Sequence, residues 1–159
     1  MTIKLICVGK LKESYFALAA AEYVRRLSRY AETEICEVPD EKAPETLSVA
    51  ERERVKDAEG KRMLAKANDG EYLVALTPGG RELSSEAFSA ALSGWMVAGG
   101  SRVAFMIGGS LGLSDEALKR ANERIGFSKL TFPHQLFRIM LLEQIYRAFK
   151  IMKNEPYHK

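Results

Sequence analysis

The chain has 159 residues, 47% of them hydrophobic, and a formal charge of +3 from 24 Lys and Arg against 21 Asp and Glu. That length sustains one core and leaves too little for a second, so a single domain over residues 1–159 is expected, and so small a positive excess neither requires nor excludes a polyanionic partner. Cys7 and Cys36 lie in aliphatic runs, which argues against a disulfide framework or zinc cluster and for buried thiols of a reducing compartment; with no signal-like N-terminus and no apolar run of membrane-spanning length, the expected location is the cytoplasm.

Ile3 to Val8 is an aliphatic run ending at Gly9, as in a buried strand entering a loop. From Ser14, the apolar residues Phe16, Ala20, Tyr23, Leu27 and Tyr30 recur at steps of four and three, with Glu22, Arg25, Arg26 and Arg29 between them, which predicts an amphipathic helix lying on a sheet. A second strand, Thr33 to Val38, stops at Pro39, and an exposed loop runs from there to Ser48. Ser48 and Glu51 have capping-box spacing and open a helix to about Asn68, where Asn-Asp-Gly ends it.

Tyr72 to Leu76 reads as a third strand broken by Thr77-Pro78-Gly79-Gly80, with Ser84 or Ser85 capping a helix that reaches Trp95 and Met96. A fourth strand, Arg102 to Ile107, delivers the chain into a glycine-rich loop that starts at Gly108 and Gly109 and passes Gly112. Ser114, with Asp115 and Glu116 behind it, then starts a helix. Ser128 to Phe132 is expected as a short fifth strand, with Pro133 in the first turn of a last helix ending near Lys153. This alternation predicts an α/β sandwich around a mainly parallel five-stranded sheet, with no internal repeat.

Apolar side chains surround most of the last helix, from Leu136 to Met152, leaving a narrow polar stripe at Glu143, Arg147 and Lys150. One apolar face covers the sheet; the other suits a second copy of the chain, so a homodimer is expected. Arg138 interrupts the apolar surface and must be paired, or face a cleft or interface. His134 and His158 stand in no metal-ligand spacing, so no metal is expected, and His134 at a helix start reads as a structural donor.

In an open α/β sheet, ligands bind beyond the carboxyl ends of the strands. Three loops lie there: Thr77 to Gly80, Gly108 to Leu113, and Phe127 to Phe132. By themselves the glycines describe a tight turn; they lack both the P-loop ending and the dinucleotide spacing, which disfavours ATP and NAD. The tail Pro156-Tyr157-His158-Lys159 offers an aromatic ring to stack on a base, an imidazole to exchange a proton and an ammonium to meet a phosphate.

Taken in order, Val8-Gly9-Lys10-Leu11-Lys12, the loop from Ile107 to Leu113, Ser128-Lys129-Leu130-Thr131-Phe132-Pro133-His134, Glu143-Gln144-Ile145-Tyr146-Arg147-Ala148 and the final Pro-Tyr-His-Lys resemble the RlmH family along the whole chain. Those proteins are large-subunit rRNA pseudouridine N3-methyltransferases of the SPOUT superfamily. The resemblance implies a deep trefoil knot in the C-terminal part, an obligate homodimer, and S-adenosylmethionine as cofactor. It implies cofactor contacts at Leu76, Gly108, Phe127, Ser128, Lys129, Leu130, Thr131 and Phe132. The implied substrate is a pseudouridine in the helix 69 loop of 23S rRNA, on the assembled ribosome and with no membrane involved. His158 is then the candidate for removing the N3 proton, with Tyr157, Lys159 and Arg138 as further catalytic candidates and each tail completing the partner's site. The competing readings are a knotted tRNA methyltransferase and a non-catalytic ribosome- or RNA-binding factor.

Overall fold

Strands and helices alternate from end to end of the computed structural model, which describes residues 1–158. They are β1 (Thr2–Val8), α1 (Ser14–Leu27), β2 (Glu32–Val38), α2 (Val49–Leu64), β3 (Tyr72–Glu82), α3 (Ser85–Ala98), β4 (Arg102–Ile107), α4 (Asp115–Arg120), β5 (Glu123–Gly126) and α5 (His134–Met152). The five strands form one sheet in the order β2-β1-β4-β3-β5, and every neighbouring pair is parallel. All five carboxyl ends therefore lie along one edge. The central strands β1 and β4 are almost continuously buried, as expected when helices cover both faces of a parallel sheet.

Alternation along the strands divides the core. Ile3, Leu5 and Cys7 of β1 and Val103, Phe105 and Ile107 of β4 face a layer built from α1, α3 and α5. Ile6 and Val8 of β1 and Ala104 and Met106 of β4 pack on the other face against Met63 of α2 and Ala117 of α4. Capping serines set the helix starts: Ser48, Ser84 and Ser114 each accept the backbone N–H three residues on, and Ser48 with Glu51 completes a capping box.

The structure corrects four expectations. β3 does not stop at Leu76; it continues through Thr77-Pro78-Gly79-Gly80 to Glu82, with a register shift against β5 between Leu76 and Arg81. Pro78 lies within that irregularity, where the ladder asks no hydrogen bond of its nitrogen. The fifth strand is Glu123–Gly126, paired with β3, whereas Ser128 to Phe132 is irregular. This edge strand fully buries only Ile125, so it shows neither an aliphatic run nor a clear alternation. Pro133 is the cap residue just outside α5 rather than within its first turn, and Cys36 is half-buried while Cys7 is buried. No helix is long and apolar enough to cross a membrane, among the described residues.

Candidate active site

The carboxyl ends of β4, β3 and β5 meet in a cradle of bare main chain. At Gly108, directly after β4, an added Cβ would lie 2.6 Å from the carbonyl carbon of Gly112 and 2.7 Å from its oxygen, so the loop folds back on itself only because no side chain intervenes. At Gly80 a Cβ would lie 2.4 Å from the backbone of Ile125, which is how the extension of β3 closes on β5. Leu76 is buried between them, in register with Ile107 and Ile125.

The segment after β5 is anchored at its ends and presented in its middle. Phe127 packs on Phe137 at 5.3 Å between ring centres, and Phe132 meets the same ring edge-on at 5.9 Å. Ser128 Oγ accepts the Leu130 N–H at 3.0 Å, while Lys129, Leu130 and Thr131 are exposed. Beside Phe127 opens a hollow of about 430 Å³ whose walls include Arg81, Leu83, Ile139, Met140 and Glu143. This is the size range of small-molecule sites.

The tail reaches the same hollow through Glu143. Tyr157 donates its hydroxyl to Glu143 Oε1 at 3.2 Å, its ring stacks edge-on against Tyr146, and the Arg147 guanidinium lies 4.6 Å from its centre. Burial, then the charge of Glu143, pushes the phenol up to about 12, so it stays protonated and donates. His158 Nε2 lies 2.7 Å from Glu86 Oε1, and its Nδ1 lies 3.4 Å from Arg147 Nη1. Hydrogen bonds from its own backbone N–H first, then from His158 and Ser84, hold the Glu86 carboxyl down at about 2. Glu86 therefore only accepts, which assigns the His158 proton to Nε2 and leaves the Nδ1 lone pair facing the Arg147 N–H.

Arg138 is not brought into this group. It is 1% exposed, and its guanidinium donates to Glu37 Oε1 at 2.8 Å, to Val8 O at 2.8 Å and to Gly9 O at 2.7 Å. It pins the start of α5 to the ends of β1 and β2. His134 lies one turn earlier in a separate cleft, its pKa lowered by burial and then by Arg138, so the ring is neutral at neutral pH. Lys159 lies outside the described residues. Glu86, Glu143 and Arg147 are not among the site residues the sequence proposes; Glu143 and Arg147 stand out there only as the polar stripe of the last helix and within a family-like motif, at the four-residue spacing of a helical ion pair.

Compared with known proteins, residues 1–158 match the family described as "Predicted SPOUT methyltransferase". The chain belongs to the SPOUT methyltransferases. Relatives named "Ribosomal RNA large subunit methyltransferase H" are 57% identical in Enterococcus faecalis and in Listeria monocytogenes, each over 159 residues and the full length of both chains. A relative of that name in Clostridium perfringens is 55% identical over the same span, which places this SPOUT methyltransferase in the RlmH family. A solved structure titled "The structure of a probable methylase family protein from Haemophilus influenzae Rd KW20" shares the fold. Its TM-score is 0.50 at 12% identity, over 96% of this chain and 66% of that one.

Proposed function

We propose that this SPOUT methyltransferase methylates N3 of a pseudouridine in the helix 69 loop of 23S rRNA, using S-adenosylmethionine, on the assembled ribosome in the cytoplasm. Full-length identity of 57% to relatives named as large-subunit rRNA methyltransferases carries the reading. The site's geometry supports it: a nucleoside-sized hollow adjoins loops whose glycines bring backbone donors and acceptors to the surface. Main-chain groups at Gly108 and along Phe127 to Phe132, with the apolar floor at Leu76, suit the adenosine and amino-acid ends of the cofactor. Bound there, S-adenosylmethionine supplies a sulfonium-activated methyl and leaves as its neutral thioether.

The protein's own contribution is alignment and proton removal. N3 forms its bond to the methyl carbon with the electron pair freed as its proton departs, and His158 Nδ1 receives that proton once substrate displaces the long 3.4 Å contact from Arg147. Glu86 holds the ring by its other nitrogen and favours the imidazolium that results. Tyr157 is positioned by Glu143 to pack against the base, and the Lys159 ammonium is the candidate for a phosphate contact. Arg138 acts in this scheme as a positioning residue, fixing α5 and the cofactor segment that leads into it.

The active form is a homodimer in this reading. Tyr15 and Leu18 of α1 are exposed, and Ile139 and Met140 of α5 are only half-buried at the edge of the hollow, a surface that a second copy would cover. The C-terminal part is threaded as the family's trefoil knot. Two measurements test the proposal. Mass spectrometry of rRNA from cells lacking the protein should show loss of one N3-methyl group from 23S rRNA, and purified protein with labelled S-adenosylmethionine should restore it on ribosomes. Methylation of tRNA instead, or no calorimetric binding of the cofactor, would refute it.

A further inference from the structure

A second crevice opens on the same edge of the sheet, on the other side of β4. The loop after β1 turns toward α1 on one face, and the loop after β4 turns toward α4 on the opposite face. Neighbouring strands whose connections part in this way leave a gap between them, the place where open α/β sheets bind ligands. Here the gap is a cleft of about 340 Å³ between Gly9, Lys10 and Lys12 on one wall and Gly109 to Leu111 on the other.

Glu59 of α2 forms part of its lining and is only 5% exposed. Oε1 accepts the Glu41 N–H at 3.1 Å, but Oε2 has no partner among the described residues. Arg62, the basic residue one turn along α2, is engaged by Pro39 O and Glu41. A Cβ at Gly109 would lie 3.1 Å from Glu59 Oε2, so the missing side chain leaves the space beside the carboxyl unfilled. An unsatisfied buried carboxyl oxygen destabilises the fold, and its retention calls for a ligand that satisfies it. At the rim, Lys10 and Lys12 are exposed, and the neutral ring of His134 lines the same cleft.

We propose that this cleft takes a second nucleotide of the RNA, one flanking the methylated base, with Glu59 hydrogen-bonding the edge of its base and Lys10 and Lys12 holding its phosphate. The inference rests on the RNA substrate proposed above. The methyl-transfer hollow lies by the end of β5 and this cleft between the ends of β1 and β4, on the same carboxyl edge of the sheet, so bases splayed from one strand can reach both. A carboxyl read by a base edge and lysines read by phosphate are separable contributions.

The test uses full-length protein, with ribosomes from cells lacking it as the probe. Glu59→Leu should raise KM for ribosomes about tenfold, the discrimination expected of one base-edge contact. It should leave kcat and cofactor affinity unchanged. Glu59→Gln should recover most of the KM. Lys10→Ala with Lys12→Ala should flatten the salt dependence of ribosome binding. A photo-cross-linker on Glu45→Cys at the cleft mouth should label rRNA. A Glu59→Leu protein with wild-type KM would overturn the proposal, as would a lowered Tm that Glu59→Gln restores without any change in KM, or a cross-link to a ribosomal protein. Wild-type protein that neither binds nor methylates ribosomes would instead sink the substrate assignment, and this inference with it.

Discussion

Replacing Arg138 with Ala separates a structural guanidinium from a catalytic one. In the native fold its donors serve three acceptors on two strands: Glu37, Val8 O and Gly9 O. Removing one partner of a buried ion pair costs about 3–5 kcal/mol, and Glu37, with 31% of its side chain exposed, can rehydrate, which favours the low end. Arg138 Nε has no acceptor among the described residues, so part of the native arrangement is already unsatisfied and its loss returns a little. A net loss of about 3 kcal/mol lowers Tm by about 6–12 °C in a chain of this size. Arg138→Lys should fall between, since one ammonium cannot fork across three acceptors. Thermal unfolding by circular dichroism, with calorimetric cofactor titration at a temperature where both proteins are folded, gives the two numbers. Unchanged Tm with methylation abolished would mean that the guanidinium works on the substrate, and the structural assignment would be wrong.

Three other outcomes follow from the same geometry. His158→Ala should lower methylation turnover by about 10²–10⁴-fold with cofactor affinity unchanged, as single-turnover kinetics and calorimetry would show; equal losses in both would contradict a proton-transfer role. Gly108→Ala, whose Cβ would fall 2.6 Å from Gly112, should cost about 1–3 kcal/mol by overpacking and weaken cofactor binding, measured by urea unfolding and titration. Lys4 and Glu71 form a buried pair at 2.7 Å; burial pushes the Glu71 carboxyl up, but Lys4 and Asn68 outweigh it and hold it below the ordinary carboxylate range. A depressed folded pKa gives stability that is present above the unfolded value and lost as pH falls through the folded one. Lys4→Met removes the ion pair and leaves only Asn68 to oppose burial, so its deficit in urea unfolding should be largest near pH 7 and shrink in acid.

Elements with a strong local signal were legible in the sequence. Ser48 and Glu51 announce the start of α2 because the capping box is a contact between residues three apart, and β1 and β4 announce themselves because strands buried on both faces admit little but aliphatic side chains. β5 was placed five residues late because its pairing with β3 is a long-range hydrogen-bond pattern that only Ile125 marks with an apolar side chain. The run through Thr77-Pro78-Gly79-Gly80 read as a breaker for a related reason: a strand crossing an irregularity tolerates residues that a regular ladder rejects.

The site divides along the same line. Arg138 was conspicuous as a charge among apolar neighbours, and pattern alone allowed either pairing or catalysis. The choice was made by Val8 O and Gly9 O, main-chain atoms about 130 residues away that no side-chain spacing can encode. Glu59 was silent for the opposite reason, since a glutamate on a charged helix looks like a solvated one until it is found buried beside Gly109. Both residues owe their character to the edge where β1 and β4 end side by side. On this edge the chemically informative question about a polar side chain is which backbone it lies beneath, and a buried carboxyl with an idle oxygen there is stronger evidence of a ligand than an exposed lysine.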